Sequence, residues 1–301
     1  MAIQKEIWLN DIVANIFANN PHLGFAVNAD GFVLQGKVVH IPNAGAKPTV
    51  KRNRNTLPAS VVQRSDVDIT FALDEYTTDP ILIPNADEYE LSYDKRASVM
   101  GEQSAALSEL VGTWFYRYWA PTAADNILRT TGSSVTAHVG TGNRKKLTVA
   151  DVKRAKLLLD RMGVPADGRV IALDADLYDQ FTDELTASQY RDFSQSYDAS
   201  KGVVGQLFGF TFLAPRTSVL IYDSTPAPVD PGTAIQNTFN AGGLVWHRDS
   251  VIRAMGDNEF FENEKDPTYY GSIYSALVRA GGRIRRNDAK GVIALVQDAA
   301  A

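Results

Sequence analysis

Ser92–Pro121 reads SYDKRASVMGEQSAALSELVGTWFYRYWAP. Ser92 can cap a helix by accepting from a free backbone N–H, and Pro121 forbids continuation. Between them Met100, Gln103, Leu107, Leu110, Trp114 and Tyr118 recur at helical spacing. The spacing predicts a helix over 92–119, about 42 Å long. Its last turns are aromatic nearly all round: Trp114, Phe115, Tyr116, Tyr118 and Trp119. A helix apolar on every side is enclosed, either by its own fold or by a neighbouring subunit. Trp114 and Trp119 are therefore candidates for contact between subunits.

Upstream, Ile3, Ile7, Ile12 and Ile16 share a helical face over residues 3–18. A helix this short is marginal alone, so something must cover its stripe. Residues 32–83 read as extended. In DVDITFALD (66–74), Val67, Ile69, Phe71 and Leu73 alternate with polar residues, and FVLQGKVVHIP (32–42) is a matching β-rich run. Between them lies a long polar insert, of a kind that is often functional.

Charge is partitioned along this region. Lys37 to Ser65 holds six basic residues (Lys37, Lys47, Lys51, Arg52, Arg54, Arg64) and no acidic one. Asp66 to Glu90 holds eight acidic residues, Asp66 and Asp68 among them, and no basic one. The pattern reads as a two-stranded arm with a basic tip and an acidic return. The Lys47–Arg54 cluster fits a solvated loop, a nucleic-acid patch, or an arm reaching an acidic surface on another copy of the chain. The partition favours the last, with Lys47, Lys51, Arg52, Arg54, Asp66 and Asp68 as contact candidates.

Downstream, residues 122–146 read as a loop or irregular hairpin. TVADVKRAKLLLDRMG (148–163) is a helix with a Thr148/Asp151 capping box and a Gly163 stop. RVIAL (169–173) is a buried strand, and Asp174 caps a helix through Phe181. In KGVVGQLFGFTFLAP (201–215), Phe208, Phe210 and Phe212 are expected on one side of a buried strand. GGLVWH, a long strand near 269–286 and VIALVQ close the chain.

The bulk numbers exclude several classes. With 301 residues, 45% hydrophobic and 22% charged, the chain reads as an ordinary globular protein. A net charge of -5 argues against a DNA-coating role. Without cysteine there are no disulfides or thiolate zinc sites. The opening MAIQKEIWLND lacks the apolar core of a signal peptide, and no stretch is long and apolar enough to span a membrane. GFVLQGKVV (31–39) imitates a P-loop until Val38, where the magnesium-binding hydroxyl should stand. His22, His40, His138 and His247 lie far apart, without metal-ligand spacing. The acids of DADLYD (174–179) read as a helix cap, and those of DNEFFENEKD (257–266) as solvated surface. No catalytic, cofactor or metal residues are assigned.

The order of parts, with GVVGQLFGFTFLAP (202–215) and GGLVWHRDSVIRAMG (242–256), resembles the major capsid proteins of tailed double-stranded DNA bacteriophages, which have the Hong Kong 97 type of capsid fold. In that family the first segment is a short helical turn, then Gly209 and a buried strand. The resemblance implies an α+β fold. It would comprise an N-terminal arm (1–31), an extended loop with flanking strands (32–90), a spine helix (91–121) joined to a peripheral domain (236–301), and an α/β axial domain (122–235). It implies a non-enzymatic shell protein, assembled as hexamers and pentamers in the host bacterial cytoplasm. Such a shell encloses double-stranded DNA without reading its sequence, alongside separate scaffolding, portal and decoration proteins and with no membrane. Two other readings stay open: an encapsulin-like nanocompartment shell and an α/β enzyme.

Overall fold

The helix expected from Ser92 runs as α1 (Lys95–Tyr118), 24 residues. The computed structural model describes residues 12, 14–17, 19–34, 38–43, 50, 52–54, 58, 61, 67–84 and 95–300. The Ser92 cap, and Ile3 and Ile7, lie outside these residues. Before α1 come β1 (Val27–Asn28), β2 (Val33–Leu34), β3 (Val38–Asn43), β4 (Val67–Ala72), β5 (Asp74–Thr77) and β6 (Ile81–Pro84). After it come β7 (Ile127–Arg129), β8 (Ser134–Thr136), β9 (Asn143–Lys145), α2 (Val149–Arg161), β10 (Arg169–Ala172), α3 (Ala175–Asp183) and α4 (Ala187–Ser194). The chain closes with β11 (Val203–Leu207), β12 (Phe210–Leu213), β13 (Leu220–Tyr222), β14 (Asn240–His247), β15 (Val251–Met255), β16 (Glu259–Asp266), β17 (Gly271–Ile284) and β18 (Val292–Val296).

Local signals place the axial elements. Thr148 and Asp151 form the capping box of α2, and Asp174 accepts from the Leu177 N–H to cap α3. A seven-stranded sheet runs β11-β12-β10-β14-β18-β7, with β13 beside β14. Its central strands β10, β14 and β18 are buried at every position because both faces are covered. Val170, Leu244, Trp246, Val292 and Ala294 face the core shared with α1. Ile171, Val245, Ile293 and Leu295 face α2 and α3. The boundary expected at 235/236 does not hold for this sheet. β14 and β18 pair with axial strands β10 and β7, although both were expected in the 236–301 peripheral portion.

The six-stranded sheet is built on β17. β15 and β16 follow one another along one edge, and β5 and β6 along the other. α1 lies across it. Residues 257–266, expected as solvated surface, thus include a paired strand. Only Phe260 of β16 is fully buried, beneath Tyr274 at a 6.2 Å ring separation, which leaves too little alternation to read as a strand.

Two further expectations need correction. Phe208 is not in a strand. Phe208 (φ 53°) and Gly209 (φ 82°) form the two-residue turn between β11 and β12, and Leu207 pairs with Phe210. Two successive positive φ angles give the type I′ geometry whose twist suits a hairpin. Phe210 and Phe212 are core, as expected, while the Phe208 ring lies half-buried under Lys153 Nζ. A strand, rather than a helical turn, precedes Gly209. The buried stripe of α1 is Met100, Leu107, Val111, Phe115 and Trp119, whereas Leu110 is 43% exposed.

The N-terminal segment docks on α1 of its own chain. Ile12 and Ile16 are sealed in the main core. Asn15 Nδ2 donates to Ser104 Oγ (3.0 Å), and Asn20 Nδ2 donates to the Ser108 carbonyl (2.8 Å). Arg216 Nη1 donates to Asn20 Oδ1 (2.7 Å). Gly112 is the close-approach point, because a Cβ there would sit 1.8 Å from Asn20 Oδ1. Buried His22 stacks on Tyr116 (4.1 Å) with Nε2 against the Gly112 carbonyl (3.1 Å). Burial, aided by the nearby Arg216 cation, holds this imidazole well below its ordinary value.

Two outcomes follow. Gly112→Ala will release the N-terminal segment, read as new protease cleavage near residues 12–20 while the rest of the fold persists. His22 is neutral in both folded and unfolded chains above about pH 6.5; below that the unfolded chain binds a proton the folded one refuses, so stability falls with pH. The expected slope is up to ~1.4 kcal/mol per pH unit, measured by chemical denaturation between about pH 7 and about pH 5.5. In His22→Gln that slope will be lost.

Candidate assembly surfaces

The arm is a ladder of β3 on β4, in register from Val38↔Ala72 to Asn43↔Val67, with β2 beside β3. Its root is locked to the body. Ile69 and Leu73 are buried; Leu73 packs in a small core with Val39, Ile252 and Ala254. Arg283 Nη1 donates to the Thr70 carbonyl at 2.9 Å, and Arg279 Nε to Glu75 Oε1 at 3.1 Å. A hydroxyl chain ties the return strand to the end of α1. The Tyr118 hydroxyl donates to Asp74 and meets the Tyr76 hydroxyl. Burial, then the bond to Asp74, raises the Tyr118 phenol far above its ordinary value.

The expected contact residues fall into three groups. Arg52 and Arg54 are exposed, with Val50 at 91% and Val61 at 97% beside them in sequence. Lys47, Lys51 and Asp66 lie outside the described residues. Asp68 is on β4, where Oδ2 meets His40 Nδ1 at 2.7 Å, so this acid has a partner within the arm. Trp114 is half-buried beside Tyr118, at 5.7 Å between rings. Trp119 has no surface to offer a neighbour. It is fully buried against Trp246 (5.8 Å), and its Nε1 donates to the Ile252 carbonyl at 2.9 Å. The enclosure that its all-round aromatic turn requires comes from its own fold.

The axial lobe carries a second polar focus. His138, between β8 and β9, places Nε2 3.2 Å from Asp174 Oδ2 and 3.5 Å from Asp176 Oδ2. The hydrogen bond to Asp174 raises its titration above the ordinary value, although burial opposes this. Sequence reasoning missed this contact, the Tyr118 chain and the Asn20 clasp. Each joins residues at least 36 positions apart, and no local pattern marks them. Among the described residues no group of three or more His, Asp or Glu could hold a metal ion, and no helix is long and apolar enough to cross a membrane.

The arrangement is an anchored body with an outstretched ladder and exposed apolar and charged rims, which suits association. The phage capsid protein family matches residues 32–296. The capsid of Ralstonia phage GP4 superposes with a TM-score of 0.66 at 15% identity, covering 92% of this chain and 88% of that one. The head of Helicobacter pylori bacteriophage KHP40 gives 0.63 at 12%, covering 93% and 90%. The capsid of cyanophage P-SCSP1u gives 0.62 at 17%, covering 90% and 86%. No curated protein matches the chain. These likenesses lend nothing to the compartment or enzyme readings. With residues 32–296 matched and the Hong Kong 97 type of fold present over about nine-tenths of its length, the chain belongs to the phage capsid protein family, the structural shell proteins of phage heads.

Proposed function

We propose that copies of this chain form hexamers and pentamers that close around double-stranded DNA, with each arm lying over the neighbouring subunit. The observation that carries this reading is the arm. Its root is locked into the body, while its described tip residues, Val50, Arg52, Arg54 and Val61, are exposed. A ladder that leaves apolar and cationic side chains in water is completed by another surface, and in a shell that surface is a sibling copy. Exposed ion pairs contribute only ~0–1 kcal/mol each, so the charges set register. The stability comes from contacts repeated around each ring, above about 2,000 Å² per pair as in obligate interfaces. The net charge of -5 accords with enclosing DNA rather than coating it.

In this reading the chain performs no catalysis. Assembly takes place in the host bacterial cytoplasm, with scaffolding, portal and decoration supplied by other proteins. Deleting residues 44–56 will leave a folded, soluble monomer or capsomer that does not form shells. Normal particles of the deletion variant in electron micrographs would overturn the arm's role.

A further inference from the structure

An open pocket of about 380 Å³ lies at the β7 edge of the seven-stranded sheet, where β7, β9, the loop before β14 and the residues after β18 meet. Two cations, Arg129 and Arg144, line it. Arg144 is 6% exposed. Its Nη1 donates to the Thr141 and Asn143 carbonyls and its Nη2 to those of Asn237 and Phe239, each at 3.1 Å. A carbonyl satisfies a donor but leaves the charge in place, and a buried cation without a counter-ion is costly. The buried Arg144 Nε has no partner. Arg129 Nη1 donates to the Gln297 carbonyl at 3.1 Å. Among the described residues neither guanidinium forms an ion pair with a carboxylate.

The geometry points to this pocket as a binding site for a phosphate-type oxyanion. Two guanidinium charges match the charge of about −1.5 to −2 that a phosphate monoester carries at neutral pH. The planar fork of arginine suits phosphate oxygens, and Arg129 has N–H groups beyond the one given to Gln297. Ser224, Asn237 and Thr238 add exposed hydroxyl and amide donors to the lining. The acids close by are already engaged. Asp298 Oδ2 holds Lys145 Nζ at 2.7 Å, and Asp223 Oδ1 accepts from the Thr225 and Ala227 N–H groups. The walls are held in place. Thr141 N donates to the Asn237 carbonyl at 3.2 Å, and Lys145 N to the Asp298 carbonyl at 2.8 Å. Gly140 (φ 78°) lets the first of these strands approach, because a Cβ there would sit 2.7 Å from the Asn237 carbonyl oxygen.

Titration of the full chain with inorganic phosphate, near neutral pH and at fixed ionic strength, tests the site by calorimetry. One saturable site per chain is expected, and phosphate will raise the unfolding temperature. Arg129→Gln will weaken binding at least about tenfold, as for a lost hydrogen bond to a charged group, and Arg129→Lys will restore part of it. Thr238→Val, at an exposed position, will weaken binding with the circular dichroism spectrum unchanged. If Arg129→Gln does not fold, Thr238→Val decides. No saturable heat, or full affinity in the folded variants, would overturn the inference. Competition separates the sources of the phosphate. Displacement by an oligothymidylate without terminal phosphates assigns the site to the diesters of nucleic acid. Displacement by thymidine monophosphate alone assigns it to free phosphate and its monoesters.

Discussion

The end of α1, sealed between the N-terminal segment and β14, is the constraint on which the body depends. Trp119, Trp246, Tyr116 and His22 form one buried aromatic cluster. Burial would orphan their polar atoms, at ~1–3 kcal/mol each, but the Tyr116 hydroxyl bonds the Arg216 side chain and the others find carbonyls. Trp119 Nε1 meets Ile252, Trp246 Nε1 meets Phe25, His22 Nε2 meets Gly112, and the nearby Tyr222 hydroxyl meets Pro121. Those carbonyls belong to the six-stranded sheet, the N-terminal segment, the helix and the turn that ends it. One cluster therefore fixes both sheets, α1 and the N-terminal segment relative to one another.

The sequence revealed what is local. Thr148, Asp151 and Asp174 are caps satisfied within three residues, and β18 is an apolar run of strand length. What it hid depends on distance. β14 and β18 look like peripheral strands by position in the chain, yet their side chains fill two cores at once, one on each face. Which turn of α1 faces inward could not be read where aromatic residues surround it. Leu110 and Val111 are adjacent and both apolar, and only the sheet decides that Val111 is buried. The hairpin at Phe208 was masked because phenylalanine is a poor marker for a positive φ.

For the assembly surface the same division holds. The charge partition of the arm is visible as composition, but a pair such as His40 and Asp68 depends on strand register. It satisfies an acid inside the arm and leaves the basic tip to seek its complement elsewhere. Trp119 shows the reverse: a residue type common at interfaces was claimed by the core. Once the core has taken its residues, the large apolar side chains left exposed among the described residues include Val50 and Val61 of the arm, Leu110 of α1, Phe261 of β16, and Leu157, Tyr190 and Tyr197 of the axial lobe.

Two histidines give this body an uneven response to acid. His22 is held neutral by burial, and stability that depends on it is lost as pH falls below about 6.5. His138 is favoured as a cation by Asp174, whose other oxygen already caps α3. Its contribution is complete below its ordinary value of 6.5 and is lost as pH rises through its raised one. Asp176 is half-exposed, so water screens its share of the pairing. The strain of acidification falls first on the clasp between the N-terminal segment and α1, while the β8–β9 hairpin stays docked on the axial lobe.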